Sequence, residues 1–127
     1  MKIKRVSDRH TGKDFLKVPK KLYKDDKVWV CPLDNDIEAV FDPARNTYFG
    51  HGEAERWVLY DDSNNLAGRV AAFYDTLLCD SWDQPTGGMG FFECINDRDS
   101  AFLLFDTARE WLKSKGMEAM DGPVNFG

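Results

Sequence analysis

The sequence predicts a single α+β domain built on a mixed sheet, and three observations carry that expectation. Segments rich in strand formers, at residues 1–6, 57–60, 66–74 and 89–95, are separated by polar turn residues. One long segment repeats apolar residues at helical spacing: Ala101, Leu104, Phe105, Ala108, Trp111 and Leu112. A short apolar stretch, residues 117–120, follows that helix, and a strand reached through a helical crossover can join the sheet in parallel. With 127 residues, 43% hydrophobic and 31% charged, the chain can bury one core, so residues 1–127 are expected to form one domain.

The elements follow in chain order. Residues 1–6 alternate apolar and basic side chains, the period of a strand, and Ser7-Asp8 supplies turn chemistry at its end. Phe15, Val18, Leu22 and Tyr23 then recur at helical spacing, but Pro19 lies among them and cannot donate a backbone hydrogen bond. Two short helical pieces are therefore expected, the second starting at Pro19. After Val28-Trp29-Val30-Cys31-Pro32, either Asp34 or Asp36 can cap a short helix through Ile37, Val40 and Phe41, which stops before Pro43. Residues 42–52 read as a loop. Residues 57–60 and 66–74, joined by the polar run 61–65, read as an antiparallel hairpin. Residues 80–88 read as a loop and 89–95 as a third strand of the same sheet. Asn96, Asp97 or Asp99 caps the long helix, and Gly116 stops it as its C′ residue. That apolar stripe buries Trp111 against the sheet, and residues 117–120 should enter beside 89–95.

Charge and cysteine content narrow the partners. Acidic residues outnumber basic ones by 22 to 17, and a net charge of -5 opposes binding to nucleic acid unless the cations are segregated. The lysines between Lys13 and Lys27 are interrupted by Asp14, Asp25 and Asp26, the pattern of a solvated helix face. Cys31, Cys79 and Cys94 are odd in number and form no C-x-x-C pair, which fits a reducing, cytoplasmic setting. No window reaches the roughly 18 apolar residues that a membrane span requires. Neither nucleic acid nor membrane is an expected partner.

Certain words are more specific than this order. They are Val18-Pro19-Lys20-Lys21-Leu22-Tyr23-Lys24-Asp25-Asp26, Trp29-Val30-Cys31-Pro32-Leu33, Gly68-Arg69-Val70-Ala71-Ala72, Gly90-Phe91-Phe92-Glu93-Cys94-Ile95 and Gly122-Pro123-Val124-Asn125-Phe126-Gly127. Together they resemble the N-terminal portion of a group of longer bacterial proteins in the GNAT, or acyl-CoA N-acyltransferase, superfamily. The resemblance implies a GNAT-like fold truncated after its fifth strand, and acyl transfer from acetyl-CoA or another acyl-CoA to an amine. It also implies a need for the remaining C-terminal part of the parent protein or for a second copy of this chain. The alternative is a noncatalytic GNAT-like scaffold or interaction module.

The same resemblance directs attention to two places. GNAT enzymes hold the cofactor pyrophosphate on a glycine-containing loop from the fourth strand into the next helix, where free N–H groups and the helix dipole favour an anion. Here the junction is Asn96-Asp97-Arg98-Asp99-Ser100-Ala101, with no glycine and two carboxylates. Asn96 and Arg98 are the candidate cofactor contacts, and this chain alone is expected to bind acyl-CoA weakly or not at all. Several GNAT enzymes also place a carboxylate on the fourth strand to take a proton from the amine, which makes Glu93 the candidate catalytic residue. Alternation puts it on the face of Phe91 and Ile95, where desolvation favours the protonated form. A structural carboxylate paired with a base such as Arg69 is the competing reading.

Three further patterns point to ordinary structure. Gly87-Gly88-Met89-Gly90 leads into a strand rather than a helix, so it reads as a turn or bulge and not a phosphate loop. His51, Glu53 and Glu55 alternate but lack a partner cluster, and read as loop residues rather than metal ligands. His10 beside Thr11-Gly12 reads as a turn residue, and no metal site is expected.

Overall fold

In the computed structural model, residues 1–25, 34–42, 52–75 and 86–122 are described. Five strands form one sheet in the order β1-β2-β3-β4-β5: β1 (Lys2–Arg5), β2 (Gly52–Tyr60), β3 (Leu66–Asp75), β4 (Thr86–Cys94) and β5 (Ala119–Asp121). The first three pairings are antiparallel and β4 with β5 is parallel, so the sheet is mixed as the sequence implies. Helices α1 (Arg9–Leu22) and α2 (Asp34–Val40) pack on one face, and α3 (Arg98–Ser114) packs on the other.

Alternation along β2 divides the two cores. Val58 and Tyr60 join Phe15, Leu16, Val18 and Ile37 beneath α1 and α2. Trp57 and Leu59 join Val70, Ala72, Met89, Leu104, Ala108 and Leu112 beneath α3. The buried line Leu104, Ala108, Leu112 advances four residues at a time, which keeps one stripe of α3 on the sheet. A glycine at position 87 allows that approach, since a Cβ there would lie 2.5 Å from Leu112 Cδ2. Trp111 sits at the margin of the stripe, half-buried rather than buried, edge-on to Trp57 at 6.1 Å.

The ends of α3 are made by local chemistry. Asp97 is the N-cap, its carboxylate accepting from the Ser100 N–H at 3.2 Å and the Ser100 hydroxyl at 2.5 Å. At the other end the N–H of Met117 reaches the carbonyl of Leu112, and that of Gly116 the carbonyl of Lys113, with Gly116 at φ +86°. These paired bonds form a Schellman stop. Asp8 caps α1 through a capping box with Thr11, so Ser7-Asp8 is a helix start as well as a strand end. His10 lies in the first turn of α1 rather than in a turn between elements, with Nε2 3.2 Å from Asp14.

Several expectations are corrected. Pro19 does not begin a second helix; α1 runs through it to Leu22. The proline leaves the Phe15 carbonyl without its helical partner, and Arg69 Nη1 on β3 donates to that carbonyl at 3.0 Å. Lys13, Lys17, Lys21 and Lys24 are exposed as a solvated face requires, but Asp14 is buried, accepting from the Tyr60 hydroxyl at 2.6 Å. Strand β2 begins at Gly52, so Glu53 and Glu55 are strand residues; pairing with β3 as far as Asp75 extends it. Gly87 and Gly88 belong to β4, both paired with β5 and Gly88 also with Phe73 of β3, so no turn forms there, while a bulge, the other reading of this run, begins at Gly90. Strand β5 pairs with residues 86–88, at the start of β4, rather than beside residues 89–95. The segments at Val28 to Pro32, His51 and residues 76–85 lie outside the described residues.

Candidate functional site

Strand β4 carries an irregularity that positions Glu93. Opposite β3, Arg69 pairs with Glu93 and Ala71 with Gly90, so two steps on β3 match three on β4. The extra residue makes a β-bulge, and Phe91 within it has a φ of +50°. The bulge exchanges the faces of the strand. Met89 before it packs in the α3 core, while Phe92 and Cys94 after it do the same and Phe91 joins the α1 core. Uninterrupted alternation from Met89 would turn Glu93 toward α3. With the bulge it meets the end of α1 instead, sharing the face of Phe91 as expected.

There Glu93 accepts a hydrogen bond from the hydroxyl of Tyr23, the C-cap residue of α1. Both side chains are half-buried. Arg69, directly across in the register, is buried, with its guanidinium over Phe15 at 4.7 Å and Phe91 at 5.8 Å. A carboxylate on a rigid strand, held by a phenol at the end of α1, can accept a proton from a cationic amine that approaches it. The competing structural reading has a partial counterpart, since Arg69 is a register neighbour of Glu93.

The β4–α3 junction has different chemistry. The carboxylate of Asp97 already occupies the first turn of α3, and its hydrogen bonds from Ser100 hold its pKa below the ordinary carboxylate value. Asn96 and Arg98 are exposed, and the Arg98 guanidinium lies 5.1 Å from the ring centroid of Phe102, one turn along the helix. Asp99 adds a second carboxylate in that turn. A pyrophosphate at this helix end would meet a carboxylate where it needs free N–H groups, so the junction does not fit the phosphates of acyl-CoA. The structure thus brings Glu93 together with Tyr23 but leaves Asn96 and Arg98 apart from that pair.

Sequence reasoning missed Tyr23, whose place at the end of an amphipathic segment reads as a helix boundary. It also missed Arg56, which precedes the apolar half of β2 and shows no motif. Glu53 accepts from the hydroxyl of Tyr74 and lies 3.3 Å from Lys115 Nζ, while Glu55 faces Arg5 at 3.6 Å. These strand carboxylates are paired with side chains of the sheet and of the residue that caps the end of α3. Among the described residues no group of three or more His, Cys, Asp or Glu is placed to hold a metal. No described helix is long and apolar enough to cross a membrane.

Comparison with known proteins agrees with this architecture. No protein-family model matches the chain. Protein YghO of Escherichia coli (strain K12) is 32% identical over 114 residues, covering 90% of this chain and 29% of that protein. A bacterial ceramide synthase of Caulobacter vibrioides is 30% identical over 119 residues, covering 90% of this chain and 30% of that protein. The chain therefore spans less than a third of the length of either relative. Among solved structures, an aminoglycoside acetyltransferase from an uncultured soil metagenomic sample, in complex with sisomicin, superposes with a TM-score of 0.62 at 12% identity. That match covers 98% of this chain and 77% of the other. A GNAT-family acetyltransferase of Staphylococcus aureus superposes with a TM-score of 0.58 at 10% identity, covering 94% and 71%. A mixed five-stranded sheet with helices on both faces, superposing on these enzymes over nearly its whole length, has the GNAT acyl-CoA N-acyltransferase fold.

Proposed function

We propose that this chain is a GNAT-fold unit of an N-acyltransferase, and that it acts on an amine only together with further acyl-CoA-binding structure. That structure comes from the remaining part of a longer protein or from a second copy of the chain. The observation that carries the acyl-transfer reading is the GNAT fold, and the need for further structure follows from the β4–α3 junction, where the Asp97 carboxylate takes hydrogen bonds that a pyrophosphate would need. The fold supports acyl transfer, although fold alone does not specify chemistry. The relative named a bacterial ceramide synthase supports amide formation on an amine, because a ceramide is an N-acyl compound.

In this reading Glu93, held by Tyr23, takes the proton of the acceptor ammonium so that the nitrogen lone pair is free. The cysteine pattern supports a cytoplasmic setting. A second reading, a noncatalytic scaffold or interaction module, is favoured by the same carboxylate-capped junction. Acyl transfer by a protein of the relatives' full length separates the two. Glu93→Gln should lower kcat about 100-fold or more, the usual size of a lost acid–base group, with little effect on thermal stability. Unchanged kcat in a folded variant would favour the scaffold.

A further inference from the structure

A cavity of about 630 Å³ opens where α1, α2 and β2 meet, within the size range of small-molecule pockets. Arg56 lines it, together with Arg9 and Lys13 of α1 and Phe41 beyond α2. The Arg56 guanidinium lies over Phe41 at 4.5 Å and over Phe15 at 5.3 Å. Those two rings contact each other edge-to-face at 5.7 Å, and Phe41 also meets Phe91 at 5.1 Å. The aromatic cluster thus fixes a planar cation whose ring contacts leave its N–H fork uncommitted.

Among the described residues no carboxylate lies within ion-pair distance of that guanidinium. Glu38 and Glu55 act on it only through space, and burial pushes its pKa down, the mark of a cation that has lost water. Three carboxylates, Asp8, Glu38 and Asp42, also line the cavity, but none of them forms an ion pair with the guanidinium. Asp8 caps α1, accepting from the Thr11 N–H at 2.8 Å and the Thr11 hydroxyl at 2.7 Å. Asp42 has partners of its own, and Glu38 is exposed. Arg9 and Lys13 bring two further positive charges to the same opening, both on exposed side chains.

We propose that this cavity is an oxyanion site, in which Arg56 holds a phosphate or carboxylate group of a small ligand through paired N–H donors, with Arg9 and Lys13 at its mouth. Guanidinium offers two parallel donors to such groups, and an arginine already pinned by aromatic rings loses little freedom on binding. The site lies on the sheet face that carries Glu93, with Phe41 and Phe91 between them, and it does not depend on the reading of that carboxylate.

The test is a titration of the protein with inorganic phosphate and, separately, with acetate, followed by NMR at the Arg56 side-chain Nε–H and at the amide of Gly12, which also lines the cavity. Saturable shifts are expected for at least one anion, with a Kd of about a millimolar. Tighter binding of phosphate would identify a phosphate group as the ligand feature, and tighter binding of acetate a carboxylate. Arg56→Lys, which keeps the charge but not the fork, should weaken the preferred anion about tenfold. Arg9→Gln with Lys13→Gln changes only exposed side chains and should also weaken it while leaving core resonances in place. Absence of saturable shifts for both anions, or undiminished affinity in both variants, would overturn the proposal.

Discussion

A proline within a helix leaves the carbonyl four residues earlier without its N–H, and in α1 that carbonyl belongs to Phe15. Arg69 donates to it from β3, at 3.0 Å, so a helix-interior proline that ordinarily costs about 3 kcal/mol is accommodated by a side chain of the sheet. Arg69→Leu should then destabilise the protein by about 1–3 kcal/mol, the cost of a buried carbonyl left unsatisfied. In a Pro19→Ala background the new N–H can take the carbonyl, so the same substitution should cost measurably less. Urea denaturation of the four proteins reads the difference, and equal costs in the two backgrounds would refute this account of Pro19. Contacts of this kind were the least legible part of the sequence. Arg69 and Phe15 are 54 residues apart and Glu93 and Tyr23 are 70 apart, separations that no periodic pattern spans. Glu93 is singled out through the resemblance to GNAT enzymes, several of which place a carboxylate on the fourth strand, and not by a pattern of its own. Nothing comparable singles out Tyr23 or Arg56.

Helix α3 was legible nearly in full because every signal that makes it is local. Its cap at Asp97, its stripe through Leu104, Ala108 and Leu112, and its stop at Gly116 all lie within one continuous segment. Strand β4 was legible as a strand but not at its bulge, which depends on how three of its steps match two on β3. The two N-caps have a consequence for acid stability. Hydrogen bonds from Thr11 to Asp8 and from Ser100 to Asp97 hold both carboxylates below their ordinary value of 3.8. A carboxylate with a depressed folded-state pKa contributes stability above its unfolded value, and that contribution is lost as pH falls through the folded value. Asp8→Asn with Asp97→Asn keeps an N-cap acceptor at both helices but removes the titration. The doubly substituted protein should show a shallower fall of Tm with acidification below about pH 4 than the parent. Parallel Tm curves for the two proteins would show that the caps are not what titrates.

The whole sheet separates two surfaces with different chemistry. Beneath α1 and α2 lie the Tyr23–Glu93 pair, the aromatic cluster and the Arg56 cavity, whereas α3 covers the opposite face with an apolar core. The GNAT architecture is complete enough in these strands to superpose on acetyltransferases, yet the helix end where such enzymes hold pyrophosphate carries Asp97 and Asp99. On the proposed function, this unit has the fold without the phosphate site. Isothermal calorimetry with acetyl-CoA tests it most directly, comparing the native chain with a variant carrying Asp97→Asn and Asp99→Gly. The account predicts a Kd of about a millimolar or weaker for the native chain, and tighter binding once the two carboxylates are gone. A Kd of about a micromolar for the native chain, unimproved by the substitutions, would contradict it.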